Sequence, residues 1–316
     1  MILSASRRTD IPCFYSDWFF NRIKEGVVYV KNPMNPKQVS EILLTPKLVD
    51  CIIFWTKNPA PMLNRLDELK DYTYCYQFTL TGYGKDLEPN LPNKKEIMIP
   101  IFQKLSTQIG KEKMVWRYDP IIVTNRYTIS YHMKAFEQIA QSLKGYTDKV
   151  IISFLDWYVK MKRNMQDIQV HEITQHDIEH LASHFAAIAR DNNLTIETCA
   201  EKIDLTPYGI KHGSCIGKQW LERVLKCELK GLKDKNQRKE CGCMESIEIG
   251  SYHTCINGCK YCYANDSFQK AVTNYINYNP NSPILCNEVA VGDKITQRKI
   301  KSLKKSQLYF SEIETI

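Results

Sequence analysis

The chain has 316 residues, of which 43% are hydrophobic and 25% charged, and its formal net charge at pH 7 is +8. This length and composition allow a large buried core, and the apolar runs are far too short to cross a bilayer, which excludes a membrane-spanning protein. Because no secretory signal is recognisable and the twelve cysteines suit metal or catalytic use better than disulfides, we expect a cytoplasmic protein.

Six short apolar segments, rich in β-forming residues, recur through the first two thirds of the chain, and each is typical of a buried strand. In chain order they are MILSAS, VDCIIFWT, YTYCYQFTL, KMVWRYDPIIV, KVIISFLDW and LTIETCAE. Helices are predicted between them at SDWFFNRIKEG, PKQVSEILL, PMLNRLDEL, EIMIPIFQKLSTQIG, SYHMKAFEQIAQSLKG and TQHDIEHLASHFAAIARDNN. Gly26 is expected to end the first helix, and Pro36 and Pro61 are expected to begin the second and third. Thr174 and Asp177 are expected to form a capping box at the start of the last helix.

Strands that alternate with helices favour parallel βαβ units, because each parallel return needs a crossover connection. We therefore predict an α/β fold, a partial or open (β/α) barrel of about six parallel strands, over residues 1–210. Residues 211–316 are predicted to form a basic, cysteine-rich extension that packs on this barrel. A doubly wound flat sheet is the alternative fold, since periodicity alone does not distinguish the two.

Polar residues follow the predicted strands with some regularity, and in (β/α) barrels the chemistry gathers at the carboxyl ends of the strands. The candidate catalytic residues are Arg8, Asp10, Lys57, Arg117, Asp119 and Glu197. A barrel mouth with these side chains suits a polar or anionic substrate. The alternative for each residue is a helix cap or a salt bridge that closes the barrel.

The positive charge is concentrated in two segments. Residues 211–239 contain nine Lys or Arg side chains against three Asp or Glu, and the run KITQRKIKSLKK lies further along the chain. Such segments can attract nucleic acid, which makes nucleic acid a candidate partner. A solvated helix face is the simpler explanation of the same pattern.

Three cysteines lie within eight residues of each other, in the stretch CINGCKYCYAN. Cys255, Cys259 and Cys262 are separated by three and then two residues, and thiolates are the usual ligands of a 4Fe-4S cluster. Three ligands would leave the fourth iron open to a substrate or cofactor, and Gly258 permits a tight loop. The alternative is a structural zinc ion with Cys241 or Cys243 as the fourth ligand.

This stretch resembles the signature of the radical S-adenosylmethionine superfamily, CxxxCxΦC, in which Φ is an aromatic residue and here is Tyr261. The resemblance implies a 4Fe-4S cluster whose open iron chelates S-adenosylmethionine and cleaves it reductively to a 5′-deoxyadenosyl radical. It also implies a full or partial (β/α) barrel and a reductase partner such as flavodoxin or ferredoxin. The sequence YCYAN is similar to the cluster loop of the spore photoproduct lyase-like branch.

In most of that superfamily the cluster loop follows the first strand, whereas here it follows the sixth. The whole chain is similar instead to a bacterial family called domain of unknown function 1848, which is described as carrying a radical-SAM-like cysteine cluster near its C-terminal end. The resemblance rests on SASRRTDIP, FWTKNP, RYDP, CAE, CGC and CINGCKYCYAN.

A second set of cysteines precedes this loop in the chain. Cys199, Cys215, Cys241 and Cys243 come from three separate segments and are predicted to hold either a second iron–sulfur cluster or a zinc ion. Free, redox-inactive thiols are the alternative. The remaining cysteines have no partner spacing and are predicted to be buried apolar side chains; they are Cys13, Cys51, Cys75, Cys227 and Cys286.

The leading hypothesis is a radical S-adenosylmethionine enzyme that acts on an unknown substrate. A second hypothesis is repair or modification of nucleic acid by an enzyme of the spore photoproduct lyase type. A third belongs to another class, a non-catalytic binding protein in which zinc organises the C-terminal segment.

Overall fold

The computed structural model describes residues 1–305. Its strands are β1 (Ile2–Ala5), β2 (Val27–Asn32), β3 (Asn35–Leu43), β4 (Cys51–Thr56), β5 (Tyr74–Thr79), β6 (Met114–Ile121), β7 (Lys149–Phe154), β8 (Thr195–Cys199), β9 (Lys211–Gly213), β10 (Ile247–Glu248) and β11 (Lys294–Gln297). Its α-helices are α1 (Ile11–Phe14), α2 (Ser16–Glu25), α3 (Ile99–Ile109), α4 (Ile129–Leu143), α5 (Val159–Asn164), α6 (Gln175–Asp191), α7 (Lys218–Leu225) and α8 (Phe268–Ile276). Residues Ala60–Leu69 form a 3-10 helix, and a π turn at Lys94–Met98 leads into α3.

One parallel sheet of eight strands organises the molecule, in the order β10, β1, β4, β5, β6, β7, β8, β9. From β1 to β9 the order follows the chain in one direction, as in a (β/α) barrel. A doubly wound sheet would reverse direction at a switch point. Within residues 1–305 the sheet is open, with β10 and β9 at its two edges.

The predicted parallel α/β sheet is confirmed, and the six predicted strands are β1 and β4 to β8, its central strands. The two edge strands were not predicted, because two and three residues are too few to show a periodicity. Both belong to the predicted extension. The division at residue 210 stays a prediction, and residues 306–316 of the extension lie outside the described part of the chain.

The helix predicted at PKQVSEILL is wrong, since these residues form β3. Val39 and Ile42 are buried three positions apart, a spacing that suits a helix. The turn after Asn32 nevertheless returns the segment alongside β2, where an antiparallel ladder satisfies its backbone. With β11 these strands form a separate three-stranded sheet. The other predicted helices are present, and the one predicted at PMLNRLDEL has 3-10 geometry.

Local capping signals behave as expected from the sequence. Gly26 ends α2 in the left-handed region at φ 72°, where a side chain would be strained. Thr174 and Asp177 form both hydrogen bonds of a capping box before α6.

None of the helices within residues 1–305 has the length and apolar character that crossing a bilayer requires.

The two faces of the large sheet are covered by different parts of the chain. One face packs against α2, α3, α4 and α6 through the main core, where the rings of Phe136 and Phe185 stack with centroids 4.0 Å apart. The opposite face, here called the inner face, packs against residues 215–244, including Trp220 and Leu221 of α7. A closed barrel fills this space with its own side chains; here the later part of the chain fills it.

Candidate functional site

The cysteine loop, residues 255–262, packs against the segments that follow the central strands. Asp10, just after β1, is the junction between these segments. Its buried carboxylate accepts hydrogen bonds from the Thr56 hydroxyl (2.7 Å), the Lys57 amide (2.7 Å), the Cys13 amide (3.1 Å) and the Asn257 side chain (3.2 Å). One carboxylate therefore joins the ends of β1 and β4 to the cysteine loop.

A buried charged group lies beside the loop. The Lys57 ammonium contacts Glu88 at 2.7 Å and the Tyr261 hydroxyl at 2.9 Å, and Lys94 and Tyr261 also contact Glu88. Burial alone would raise the pKa of Glu88, but the two ammonium groups outweigh it and lower that pKa to about 2. The contacts from Lys57 and Glu88 hold Tyr261, the aromatic residue of the CxxxCxΦC pattern, in place.

The three cysteines of the loop are half-buried, and two of their thiols, those of Cys255 and Cys262, receive backbone hydrogen bonds. Burial raises the pKa of Cys255, with further increases from Asp10 and from the neighbouring Cys262 and Cys259, whereas the Asn257 amide donates to its sulfur and opposes them. The Ala264 amide donates to Cys262 Sγ at 3.4 Å. N–H donors of this kind surround cluster-bound cysteines and tune their potential. The donors and the thiols together suit an iron–sulfur cluster.

Gly258 gives the loop its shape. Its φ is +70°, and a Cβ there would lie 3.0 Å from Asn90 and 3.1 Å from Pro89. Only glycine meets both the backbone and the space requirement at this position.

Among residues 1–305, no group of three or more His, Cys, Asp or Glu side chains has, as it stands, the arrangement that holds a metal ion.

The second set of cysteines, here called the four-cysteine group, does converge. Cys199 at the end of β8 and Cys215 have sulfurs 2.8 Å apart. Cys243 hydrogen bonds to both Cys215 and Cys241, and the Ile216 amide donates to Cys243 Sγ at 3.3 Å. Three segments that are distant in sequence thus bring four thiols together on the inner face.

Two arginines and a tryptophan lie between the two cysteine sites. Arg117 contacts Cys215 Sγ at 2.5 Å and also Asp119. The Trp55 ring lies between two guanidinium groups, at 5.0 Å from Arg7 and 5.1 Å from Arg117. The Tyr263 hydroxyl, one residue past the cysteine loop, donates to the Arg7 carbonyl at 2.5 Å. The sites are therefore joined by one continuous set of contacts.

An open cavity of about 660 Å³ lies at the carboxyl ends of β6, β7 and β8. Its wall is largely apolar and includes Ile122, Phe154 and Trp157, with Glu201 and Arg238 among its polar members. Ile122 also belongs to the apolar cluster that contains Tyr261 and Cys259. The cavity thus shares packing with the cysteine loop and has room for a small-molecule substrate.

The candidate catalytic residues lie at four locations. Asp10 and Lys57 lie at the cysteine loop, and Arg117 and Asp119 lie at the four-cysteine group. Arg8 stacks on Tyr252 at 4.8 Å, shortly before the cysteine loop in the chain. Glu197 instead pairs at 2.5 Å with Lys149, the first residue of β7, so it lies away from the carboxyl edge of the sheet.

Sequence reasoning missed several residues that the fold brings to the site. Glu88 and Lys94 come from the loop after β5, where no motif indicates them. The sequence indicates Arg7 only as part of SASRRTDIP and Trp55 only as a strand residue. For Trp55 the neighbouring cationic residues of the strand ends were an available signal, because cations and indole rings attract each other.

The remaining cysteines are distributed over the fold. Cys51 and Cys75 are buried on adjacent strands with their sulfurs 3.9 Å apart. Cys13, Cys227 and Cys286 are half-buried. Cys13 lies beside Asp10 through its amide.

Comparison with known proteins identifies a family but no characterised relative. The family model described as domain of unknown function (DUF1848) matches residues 2–264. This range contains both cysteine sites and all the candidate catalytic residues. Neither the curated proteins nor the solved structures include a significant match to the chain.

Proposed function

The chain belongs to the family described as domain of unknown function (DUF1848), and since that description states no activity, we propose a function from the site itself. The protein is an enzyme of the radical S-adenosylmethionine type. Cys255, Cys259 and Cys262 hold a 4Fe-4S cluster, and the open sheet acts as the partial barrel around it. When bound, the cluster would supply the electron for reductive cleavage of S-adenosylmethionine.

The observation that carries the proposal is the position of the cysteine loop. It packs on the segments that follow β1, β4 and β5, through Asp10, Lys57 and Glu88. The carboxyl ends of parallel strands are where (β/α) enzymes place their chemistry.

The side chains around the loop have distinct tasks in this proposal. Asp10 and Gly258 hold the loop in its conformation, and the Asn257 and Ala264 amides stabilise charge on the sulfurs. Lys57 and Lys94 exceed Glu88 by one positive charge, which favours an anionic ligand or cluster nearby. The apolar cluster that contains Tyr261 excludes water from this side of the loop.

The cavity at β6, β7 and β8 is the proposed substrate site. It adjoins the cysteine loop through shared packing, and a 660 Å³ space fits a metabolite-sized molecule. The mixture of an apolar wall with Glu201, Asp156 and Arg238 suits a substrate with an apolar body and polar ends. The protein's contribution is to bind and orient this molecule.

The experiment is anaerobic reconstitution with iron and sulfide, followed by metal analysis and EPR of the reduced protein with and without S-adenosylmethionine. We expect about four iron and four sulfide bound at the loop and an EPR signal that changes with S-adenosylmethionine. A variant with Cys255, Cys259 and Cys262 all changed to alanine should lose both. Cys227→Ala, at a half-buried cysteine outside both sites, is the matched control.

Two outcomes contradict the proposal. One is an iron signal that survives the triple substitution or ignores S-adenosylmethionine. The other is zinc bound at the loop, which would favour the non-catalytic, zinc-organised binding protein.

Repair or modification of nucleic acid is a second candidate, favoured by the exposure of the basic segment. All nine Lys and Arg side chains of residues 211–239 are exposed. Binding to a nucleic acid through these residues must weaken steeply between 50 and 200 mM salt. Titration of a labelled oligonucleotide at both concentrations tests this candidate, and affinity that ignores salt removes it.

A further inference from the structure

The four-cysteine group is too organised to be a chance cluster of thiols. Cys199 ends β8, Cys215 lies in the loop before α7, and Cys241 and Cys243 lie just before β10. Forty-four positions separate Cys199 from Cys243. Yet each thiol touches at least one other thiol of the group, in the order Cys199, Cys215, Cys243, Cys241. Cys51 and Cys75, by contrast, meet only as a pair on adjacent strands.

The environment of the group is built for negative charge. The Arg117 guanidinium lies 2.5 Å from Cys215 Sγ, and Arg7 interacts favourably with both Cys215 and Cys243. Arg117 is 8% exposed, and a buried guanidinium is costly unless it is paired. Four thiolates around a divalent cation carry a net charge of −2, and the two guanidinium groups beside the sulfurs stabilise it. Each arginine also has a carboxylate nearby, Asp119 for Arg117 and Glu248 for Arg7.

The short spacing of the sulfurs favours one ion over a cubic cluster. A zinc–sulfur bond of 2.3 Å in a tetrahedron places its ligands about 3.8 Å apart. The Cys199 and Cys215 sulfurs, at 2.8 Å, therefore need to separate by about 1 Å, which a small side-chain rotation supplies. A cubic cluster holds its thiolates on separate irons and requires a much wider spacing.

We propose that Cys199, Cys215, Cys241 and Cys243 form a closed tetrahedral zinc site that fastens residues 211–244 to the inner face of the sheet. Four protein ligands leave no open coordination position, so the site is structural and does not activate a substrate. The metal joins β8 to the segment that carries α7. This inference is independent of the function proposed for residues 255–262.

The experiment measures zinc in the full chain. Wild-type protein purified from zinc-containing medium should hold about one zinc per chain, and Cys241→Ser/Cys243→Ser should lose it. Cys227→Ser should keep it. The Cys255→Ala/Cys259→Ala/Cys262→Ala variant should also keep it, which separates this site from the cysteine loop.

A second measurement covers the case in which the Cys241→Ser/Cys243→Ser protein does not fold. The triple-alanine variant is loaded with Co²⁺ in place of zinc, and its absorption spectrum is recorded. Intense thiolate-to-cobalt charge-transfer bands with tetrahedral d–d bands are expected. Absence of both zinc and these bands overturns the proposal. Iron with acid-labile sulfide in the triple-alanine variant also overturns it. So does zinc that persists in the Cys241→Ser/Cys243→Ser protein.

Discussion

Glu201 lies in the wall of the cavity and is mostly shielded from water. Its Oε1 accepts a hydrogen bond from the Phe154 amide at 2.8 Å. Burial raises the pKa of Glu201 from its usual 4.5 to about 7, an effect that the Phe154 hydrogen bond opposes and that Asp156 and Asp119 reinforce. A carboxyl group with this pKa can exchange a proton near neutral pH, which suits a substrate-facing acid or base.

This shift predicts a pH-dependent stability. The folded protein binds a proton at Glu201 more tightly than the unfolded chain does. The stability that this proton confers on the fold is therefore complete below about pH 4.5 and is lost as the pH rises through about 7. Glu201→Gln removes this titration and still accepts the Phe154 hydrogen bond. Its free energy of unfolding relative to wild type should therefore rise between pH 5 and pH 8, by at most about 3 kcal/mol.

Urea unfolding at both pH values measures the difference for Glu201→Gln. Glu172→Gln is the matched control, because Glu172 lines the same cavity but is exposed. The control should show the same stability relative to wild type at pH 5 and pH 8. A difference for Glu201→Gln that does not change with pH would show that this carboxyl group has an ordinary pKa in the folded protein.

Among the elements, α6 shows how a local signal stabilises a long helix of the outer layer. Its capping box satisfies amides that would otherwise have no partner at the first turn. The helix then packs Leu181 and Phe185 into the main core. The cap and the packing thus act on the same 17-residue helix.

Thr174→Ala removes the side chain that caps the Asp177 amide and should lower the free energy of unfolding by about 1 kcal/mol. Thr107→Ala is a control at an exposed threonine of α3, whose hydroxyl bonds only to the Gln103 carbonyl one turn earlier. Its effect should stay within about 0.5 kcal/mol. Chemical denaturation gives both values, and equal effects would mean that the cap contributes nothing beyond helix propensity.

At the scale of the whole molecule, the later third of the chain is part of the main architecture. Strands β10 and β9 form the two edges of the large sheet, and Trp220, Leu221 and Met244 pack on its inner face. Asp50, just before β4, accepts hydrogen bonds from the Ser302 hydroxyl at 2.5 Å and the Leu303 amide at 2.7 Å. The described end of the chain is thereby fixed to the centre of the sheet.

A chain that stops after residue 210 should therefore fail to form a stable native domain. The truncation exposes Ile53, Val115 and Ile151 on the inner face, which loses its entire cover. We expect no cooperative thermal transition and weak near-ultraviolet circular dichroism. A chain that stops after residue 305 is the control, because it keeps every described contact, and it should melt like the full chain. Cooperative unfolding of the 1–210 chain would show that the barrel-like part folds alone.

The features that could be predicted from the sequence are those with a local physical cause. The central strands, the cap at Thr174 and the turn at Gly258 each depend on neighbouring residues, through periodicity, side-chain hydrogen bonds or backbone sterics. The spacing of Cys255, Cys259 and Cys262 is local for the same reason. The helix predicted in place of β3 failed because hydrogen bonds to β2 outweighed an apolar spacing that suits a helix.

Other features depend on residues that meet only when the chain has folded. The pairing of Lys57 with Glu88, the placement of Trp55 between Arg7 and Arg117, and the cover of the inner face all join distant segments. The four cysteines outside the loop were recognisable as a set, but their mutual contacts required the fold. Local sequence encodes the conformation of a segment, whereas contacts between segments follow from which surfaces the whole chain can bury together, and that is a property of the packed molecule.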